Sequence, residues 1–459
     1  MLEELKAHSD GVDPYDVLNS YHHKFKIEHP MITYYSTGKN APEVDFKTAL
    51  FRGLAPDGGL YFPNEFPQFS ADELENLKGA SLQAVGYAVL SKWFGDDIPA
   101  DALEAIAHDA QNFPIELNPV GPYYVLELTH GPTLAFKDVA AQNLSRLMSY
   151  FLQQEDRDIT LLVATSGDTG GAIAHGFADI PHTNVYVLFP KGRVSRLQEE
   201  QLTRVADNVT PIEVDGVFDD CQAMVKRAFN DPELVGLNLT SANSISIGRL
   251  IPQIIYYVYT WAVLQRDDIE FVVPSGNFGN LTGALFAKQM GLPFKRFVAA
   301  TNANDAAVRY QESGVYDPHV TIQTLSNAMD VGNPSNFVRI LETFGHDYEE
   351  FRDHFVAMSV DDETTIETIK RVYAQHNYLL DPHTAIAWHA AEQTATDSTS
   401  ACRVVVSTAS PVKFAGEIMQ ASGIAVDDTS TVEALSGREK RKVSIGNDYE
   451  ELCRLLLNS

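Results

Sequence analysis

Leu126-Glu127-Leu128-Thr129-His130-Gly131-Pro132-Thr133-Leu134-Ala135-Phe136-Lys137-Asp138 is the stretch on which the fold of this chain turns. Its first residues close an apolar run that reads as a strand over 123–128. Downstream, Val139, Leu144, Leu147, Met148 and Phe151 recur at helical spacing and mark the buried stripe of a helix. Gly131-Pro132 turns the chain between the two. The apolar Leu134-Ala135-Phe136 then delivers Lys137 to the helix start. Lysines ordinarily keep the charged head in water. A desolvated amine loses proton affinity, because burial penalises the ammonium form. A neutral amine can attack a carbonyl and form a Schiff base. The stretch therefore points to an aldehyde cofactor held at Lys137.

Outward from this stretch, strands and helices alternate. Strands are expected over 159–165, 185–189, 209–214, 271–274, 297–301 and 403–408. Helices are expected over 170–178, 196–205, 218–229 and 247–265, then from the 274–280 loop to Met290, and over 413–421. Upstream, 74–94 and 101–111 read as helices and 51–63 as a turn-rich segment, while helices are expected to dominate from 301 to 396. Such alternation predicts an α/β fold, a mostly parallel sheet covered by helices on both faces. Ligands in these folds bind beyond the carboxyl ends of the strands. Residues 1–30 are polar and read as an extension, and the Thr/Ser-rich run at 394–400 reads as a surface loop.

Composition narrows the classes. At 459 residues, 44% hydrophobic and 21% charged, the chain has an ordinary globular profile with room for a large core. A formal net charge of −28 argues against nucleic acid, which needs clustered Lys and Arg. Cys221, Cys402 and Cys453 are far apart and show no ligand spacing, so neither a metal site nor a disulfide framework is expected. The first residues lack the apolar core of a signal peptide and are too acidic for a transit peptide. No apolar stretch reaches the ~18–20 residues of a membrane span. Cytoplasm is the expected location.

Three loops at expected strand ends carry further chemistry. Thr165-Ser166-Gly167-Asp168-Thr169-Gly170 leads into a helix whose free N–H groups and dipole suit an anion, although the same residues serve equally as a helix cap. Ser275-Gly276-Asn277-Phe278-Gly279-Asn280 can form a backbone nest for a phosphate, and it too reads as a cap. Neither has a Walker lysine or dinucleotide spacing. Thr408 ends a strand and can hydrogen-bond a neutral ring nitrogen, or simply serve a turn. Together with Lys137 these loops form the inventory for pyridoxal 5′-phosphate, which supplies the electron sink while the protein supplies placement.

At this point the chain resembles a family. Residues 34–38 (Tyr-Tyr-Ser-Thr-Gly), 53–62, 130–138, 165–170, 241–244 (Ser-Ala-Asn-Ser), 275–280, 300–302, 326–330 and 380–383 (Leu-Asp-Pro-His) are similar to the threonine synthases of the longer bacterial and fungal form. The match runs from Met31 to Gly423. The resemblance implies a fold-type II pyridoxal-phosphate enzyme, similar to the tryptophan synthase β chain, with two parallel-sheet subdomains, helices on both faces and an N-terminal region. It implies an extension at 1–30, an N-terminal domain at 31–118, a catalytic domain at 119–430 with a smaller subdomain at 138–245 nested in it, and a tail at 431–459.

The resemblance further implies conversion of O-phospho-L-homoserine and water to L-threonine and phosphate. It makes Lys137 the Schiff-base residue and the base at Cα, Gly276, Asn277, Phe278, Gly279 and Asn280 the cofactor-phosphate loop, and Thr408 the partner of the pyridine nitrogen. Thr165, Ser166, Asp168, Thr169, Ser241, Asn243, Ser244 and Arg249 fall on the substrate side. Asp168 is awkward against a substrate carboxylate and better suited to orienting Thr169, the substrate amine or a cofactor hydroxyl. Arg249, Lys191, Arg193 and Arg196 are candidates for the substrate phosphate, and His130 and His383 for acid–base work. The small-molecule substrate is the expected partner, and a monomer the expected state. The rivals are another fold-type II lyase that stops after elimination, a non-catalytic cofactor-binding regulator, and a nucleotide-binding module.

Overall fold

The computed structural model describes residues 31–395 and 401–458. The 1–30 extension and most of the 394–400 run lie outside the described residues. Two sheets dominate. In the larger, the strand order is Phe355–Ser359, Arg296–Thr301, Ile269–Pro274, Cys402–Ser407, Tyr123–Glu127 and Glu116–Val120. Every pairing in it is parallel except the last, where Glu116–Val120 runs antiparallel at the edge. In the smaller, all pairings are parallel, in the order Val443–Ile445, Val209–Val214, Thr183–Pro190, Ile159–Ala164 and Leu239–Thr240. Strands such as Ile159–Ala164, Ile269–Pro274 and Cys402–Ser407 are buried at every residue, as parallel strands covered on both faces must be.

The N-terminal part is a short antiparallel pair, Tyr34–Ser36 with Tyr61–Pro63, packed with its helices against the helices Lys137–Glu155, Ile254–Leu264 and Gly279–Gln289. Phe46 stacks on Phe94 with centroids 4.0 Å apart, joining the first described helix to the core. Positions 118 and 119, the expected division between domains, both lie within the edge strand.

Several elements differ from expectation, each for a local reason. The helix expected over 74–94 is two helices, Ala71–Leu77 and Leu82–Phe94. Gly79 has φ +71° between them, and Ser70 and Ser81 each cap a new start. The helix expected over 247–265 is Ile247–Leu250, a 3₁₀ turn Ile251–Gln253 and Ile254–Leu264. Pro252 lacks the N–H that would continue the α ladder. The helix expected from Gly170 begins at Asp168, because Gly167 at φ +138° finishes the turn one residue earlier. Phe355–Ser359 is a parallel strand inside a region read as helical. Five residues are too few for periodicity to separate a strand from a helix end.

The segment beyond 430 also joins the fold. Val443–Ile445 extends the smaller sheet, and Tyr449, Leu452, Cys453 and Leu456 of the last helix pack into the cluster of Leu162, Ile212, Met224 and Val225. Leu452 is fully buried there. Leu452→Ala is expected to cost about 2–5 kcal/mol, from lost transfer energy plus the cavity left behind. Denaturant unfolding checks this, and a change below about 0.5 kcal/mol would mean the last helix is not part of the cooperative core.

Candidate active site

The site assembles where the expected loops leave the carboxyl ends of their strands. The chain from Tyr123–Glu127 runs through the Gly131–Phe136 loop into the helix Lys137–Glu155, so Lys137 is its first residue. This loop is zipped to the one after Cys402–Ser407. Phe136 N–H donates to Thr408 O at 2.9 Å, Ser410 N–H donates to Leu134 O at 3.0 Å, and Ala135 bridges Ala409. Asp138 locks the turn from inside by accepting from Thr133 N–H at 2.8 Å and Thr133 Oγ1 at 2.6 Å. A side chain at Gly131 would collide with Asp138, 2.6 Å from its Cβ, so the turn admits only glycine. Lys137 and Thr408 are thereby held side by side in two joined loops beyond the carboxyl ends of neighbouring strands.

Lys137 Nζ lies 3.3 Å from Asp168 Oδ2, and its side chain is 12% exposed. Burial is the leading cause that lowers this amine below its ordinary value. Asp168 works against that shift, while Lys413 and Arg249 add to it. Burial alone would raise the Asp168 carboxyl, but Lys413 and Lys137 beside it hold it far below the usual carboxylate range. Gln198 Nε2 donates to Asp168 Oδ1 at 2.9 Å and fixes the plane of the carboxylate. Thr165 Oγ1 accepts from Gly167 N–H and Gly170 N–H, both at 2.9 Å, and so shapes the turn from below, while Ser166 and Thr169 are half-buried on the cleft wall.

The loop Ser275–Asn280 follows Ile269–Pro274. Ser275 Oγ donates to Asn280 Oδ1 at 2.9 Å, and Asn280 Nδ2 donates to Pro274 O at 2.9 Å, which close the loop on itself. Phe278 is left-handed at φ +60°, and the helix starts at Gly279. The N–H groups of Gly276, Asn277 and Phe278 donate to no protein acceptor among the described residues. With the first free N–H groups of the helix, they form a cradle of unspent donors. A Cβ at Gly276 would sit 2.6 Å from Met329 Cα, so the floor of the cradle also needs glycine. Asn277 is pinned by donating to Ser244 Oγ and accepting from Ser335 N–H. These donors suit a phosphate, and the Lys137 amine suits an aldehyde in the same cleft.

Ser241, Asn243, Ser244 and Arg249 close the other side. Arg249 is buried and donates through one terminal nitrogen to Ala242 O at 2.8 Å, while its Nε has no partner. Burial lowers its guanidinium to about 10. Asn243 Oδ1 is likewise without a partner. All the residues placed on the cofactor and substrate sides by the sequence line one cleft of about 1540 Å³. His383 lines it too, with Nδ1 2.8 Å from Asp381 Oδ1 and Nε2 accepting from Ala328 N–H at 3.3 Å. His130 does not line it. It sits on the sheet edge 2.9 Å from Glu127, with Glu116 nearby. Lys191, Arg193 and Arg196 also lie off the cleft, and Arg196 is 3.8 Å from Asp428. Sequence reasoning missed Lys413, which is fully buried against Asp168. Its one signal is a lysine within an apolar turn three residues past Ser410.

A parallel-sheet cleft with a desolvated lysine and a free N–H cradle defines the class of pyridoxal-phosphate enzymes. The family model described as pyridoxal-phosphate dependent enzyme matches residues 108–409. Models for the threonine synthase N terminus and the threonine synthase C-terminal region match 33–111 and 384–455. The chain belongs to the threonine synthase family.

It is 37% identical to threonine synthase of Escherichia coli, over 92% of this chain and 99% of that one. It is 39% identical to that of Haemophilus influenzae, over 91% and 97%. The structure of pyridoxal-phosphate-bound threonine synthase from Brucella melitensis superposes with a TM-score of 0.88 at 37% identity, covering 93% of this chain and 99% of that one. The yeast enzyme gives 0.84 at 33%, covering 93% and 98%. Maize serine racemase, at 14% identity and a TM-score of 0.51, shares the fold alone, covering 73% and 96%. The fold is thus fold-type II, as the resemblance implies.

Proposed function

We propose that this chain is a pyridoxal-phosphate-dependent threonine synthase converting O-phospho-L-homoserine and water to L-threonine and phosphate. The observation that carries the reading is the convergence of the Lys137 amine, the free N–H groups at 276–278 and the partnerless Arg249 Nε in one cleft. In this reading Lys137 carries the cofactor, the 276–280 loop holds its phosphate, and the Thr408 hydroxyl meets its ring nitrogen. Bound there, pyridoxal phosphate supplies the electron sink that stabilises negative charge at Cα.

The chain's own residues do the rest. Lys137, as a free neutral amine, takes the proton from Cα, the role of a general base with a lowered pKa. Arg249 binds the substrate phosphate through its unspent donor, and a guanidinium can grip two phosphate oxygens at once. Ser241, Asn243 and Ser244 and the turn Thr165, Ser166, Thr169 orient the rest of the substrate. Asp168 holds the Lys137 amine toward the reacting carbons. Across the reaction the C–O bond at Cγ breaks, Cγ gains a proton, and Cβ exchanges a hydrogen for the hydroxyl of water.

A lyase that stops after elimination would use the same lysine, so the products discriminate. O-phospho-L-homoserine should yield threonine and phosphate in equal amounts, and 2-oxobutyrate without threonine would overturn this reading. Borohydride reduction of the holoenzyme followed by peptide mapping should place the pyridoxyl group on Lys137, and finding it on another lysine would reject the site.

Among the described residues no helix is long and apolar enough to cross a membrane. A cytoplasmic monomer that binds no nucleic acid is part of the same proposal, and the net charge of −28 supports the last of these. The division at 31–118, 119–430 with 138–245 nested, and 431–459 remains a proposal as well, and limited proteolysis tests it.

A further inference from the structure

Asp168 is one carboxylate between two lysines. Its Oδ2 is 3.3 Å from Lys137 Nζ, and its Oδ1 is 3.0 Å from Lys413 Nζ. The two ammonium positions are not equivalent. Lys413 Nζ also donates to Thr133 O at 2.6 Å and to Gln201 Oε1 at 3.0 Å, and its side chain is fully buried. An ammonium has three protons and three donors to satisfy. Thr133 O, Gln201 Oε1 and Asp168 Oδ1 satisfy all three at Lys413, whereas Lys137 has one acceptor at longer range. Discharging Lys413 would strand a buried cluster of acceptors, while discharging Lys137 costs one weak contact. The proton is therefore given up at Lys137.

We propose that Lys413 is a positioning residue for the reaction, one that claims the charge of Asp168 and so leaves the Lys137 amine neutral and aimed into the cleft. The inference rests on the reading of Lys137 as the reacting amine. Charged and titratable groups around Lys137 come from every packed element. Asp168 lies on the helix after Ile159–Ala164, Lys413 in the turn Pro411–Phe414, and Arg249 in Ile247–Leu250. His383 faces Asp168 from Pro382–Gln393, and Asp138 on Lys137's own helix is occupied by Thr133. Among these, Lys413 is the cation in direct contact with the Lys137 counter-ion. Removing it lets Asp168 pair fully with Lys137 and favours the ammonium form.

The test is competitive acetylation of the full-length enzyme stripped of cofactor, with the reactivity of Lys137 read by mass spectrometry across pH. Lys413→Met is expected to raise the apparent pKa of Lys137 by about one to two units, the usual effect of an unshared opposite charge. In the reconstituted enzyme the acid limb of kcat should move to higher pH with it, since Lys137 is a free amine only once substrate has displaced it and must be neutral to act. Lys413→Gln, which removes the charge but keeps an amide donor for the neighbouring acceptors, should move Lys137 the same way even if the first variant fails to fold. A purely structural Lys413 would lower the melting temperature and leave the Lys137 titration where it is. An unchanged titration in the folded variants overturns the proposal. Borohydride mapping judges the assignment of Lys137 separately, so the two failures are distinguishable.

Discussion

Lys137→Ala is expected to abolish turnover and the long-wavelength absorbance of the bound cofactor. The substitution removes two functions at once, the covalent attachment and the base at Cα. Loss of a positioned general base alone is worth about 10²–10⁴ in rate. Loss of the nucleophile adds to this, because the second amine on Asp168 is not free to replace it. That amine is Lys413, and its three protons are spoken for by Thr133, Gln201 and Asp168. The variant should fold, since Lys137 begins its helix and makes a single polar contact. Absorbance spectra and a threonine assay check this, and turnover within about tenfold of the parent would remove Lys137 from the chemistry.

Gly276→Asp is expected to weaken pyridoxal-phosphate binding by at least about a hundredfold, or about 2.7 kcal/mol. Two effects add. A Cβ at this position would stand 2.6 Å from Met329 Cα and 3.1 Å from its carbonyl carbon. Both are backbone atoms, so the loop must move and the N–H groups of Gly276, Asn277 and Phe278 lose their convergence. The carboxylate then places a negative charge where the cradle gathers phosphate. Gly276→Ala separates the terms, since it retains the clash and omits the charge. Fluorescence titration of the cofactor-stripped variants gives the affinities. Unchanged affinity in both would exclude this loop as the phosphate site.

How far the sequence could be read depended on the range of the interactions. Strands such as Ile159–Ala164 and Ile269–Pro274 were legible because short apolar runs that follow Asp residues and end at a Ser-Gly turn are local signals. Leu239–Thr240 and Val443–Ile445 were not, because two or three residues become a strand only when a neighbour supplies the ladder. The break of the 247–265 segment at Pro252 was in plain sight, but long apolar periodicity outweighed a single proline. At the site, Lys137 and the loops at 165–169 and 275–280 announced themselves by unusual local order. Lys413 did not, because its meaning lies in Asp168, 245 positions earlier (413 − 168).

By itself the sequence determined the α/β class, the family resemblance, the cofactor and the lysine that is expected to carry it. These follow from local patterns, since an apolar approach to a lysine, a glycine loop after a strand and strand–helix alternation are each written within a few residues. The tertiary structure alone decided which charges face one another. It set Arg249 in the cleft and left Lys191, Arg193 and Arg196 outside, kept His130 at the sheet edge, and joined the segment past 430 to the smaller sheet. It also divided Asp168 between Lys137 and Lys413. Electrostatic partnership depends on distances of a few ångströms between chain segments hundreds of residues apart, and folding alone brings those segments together.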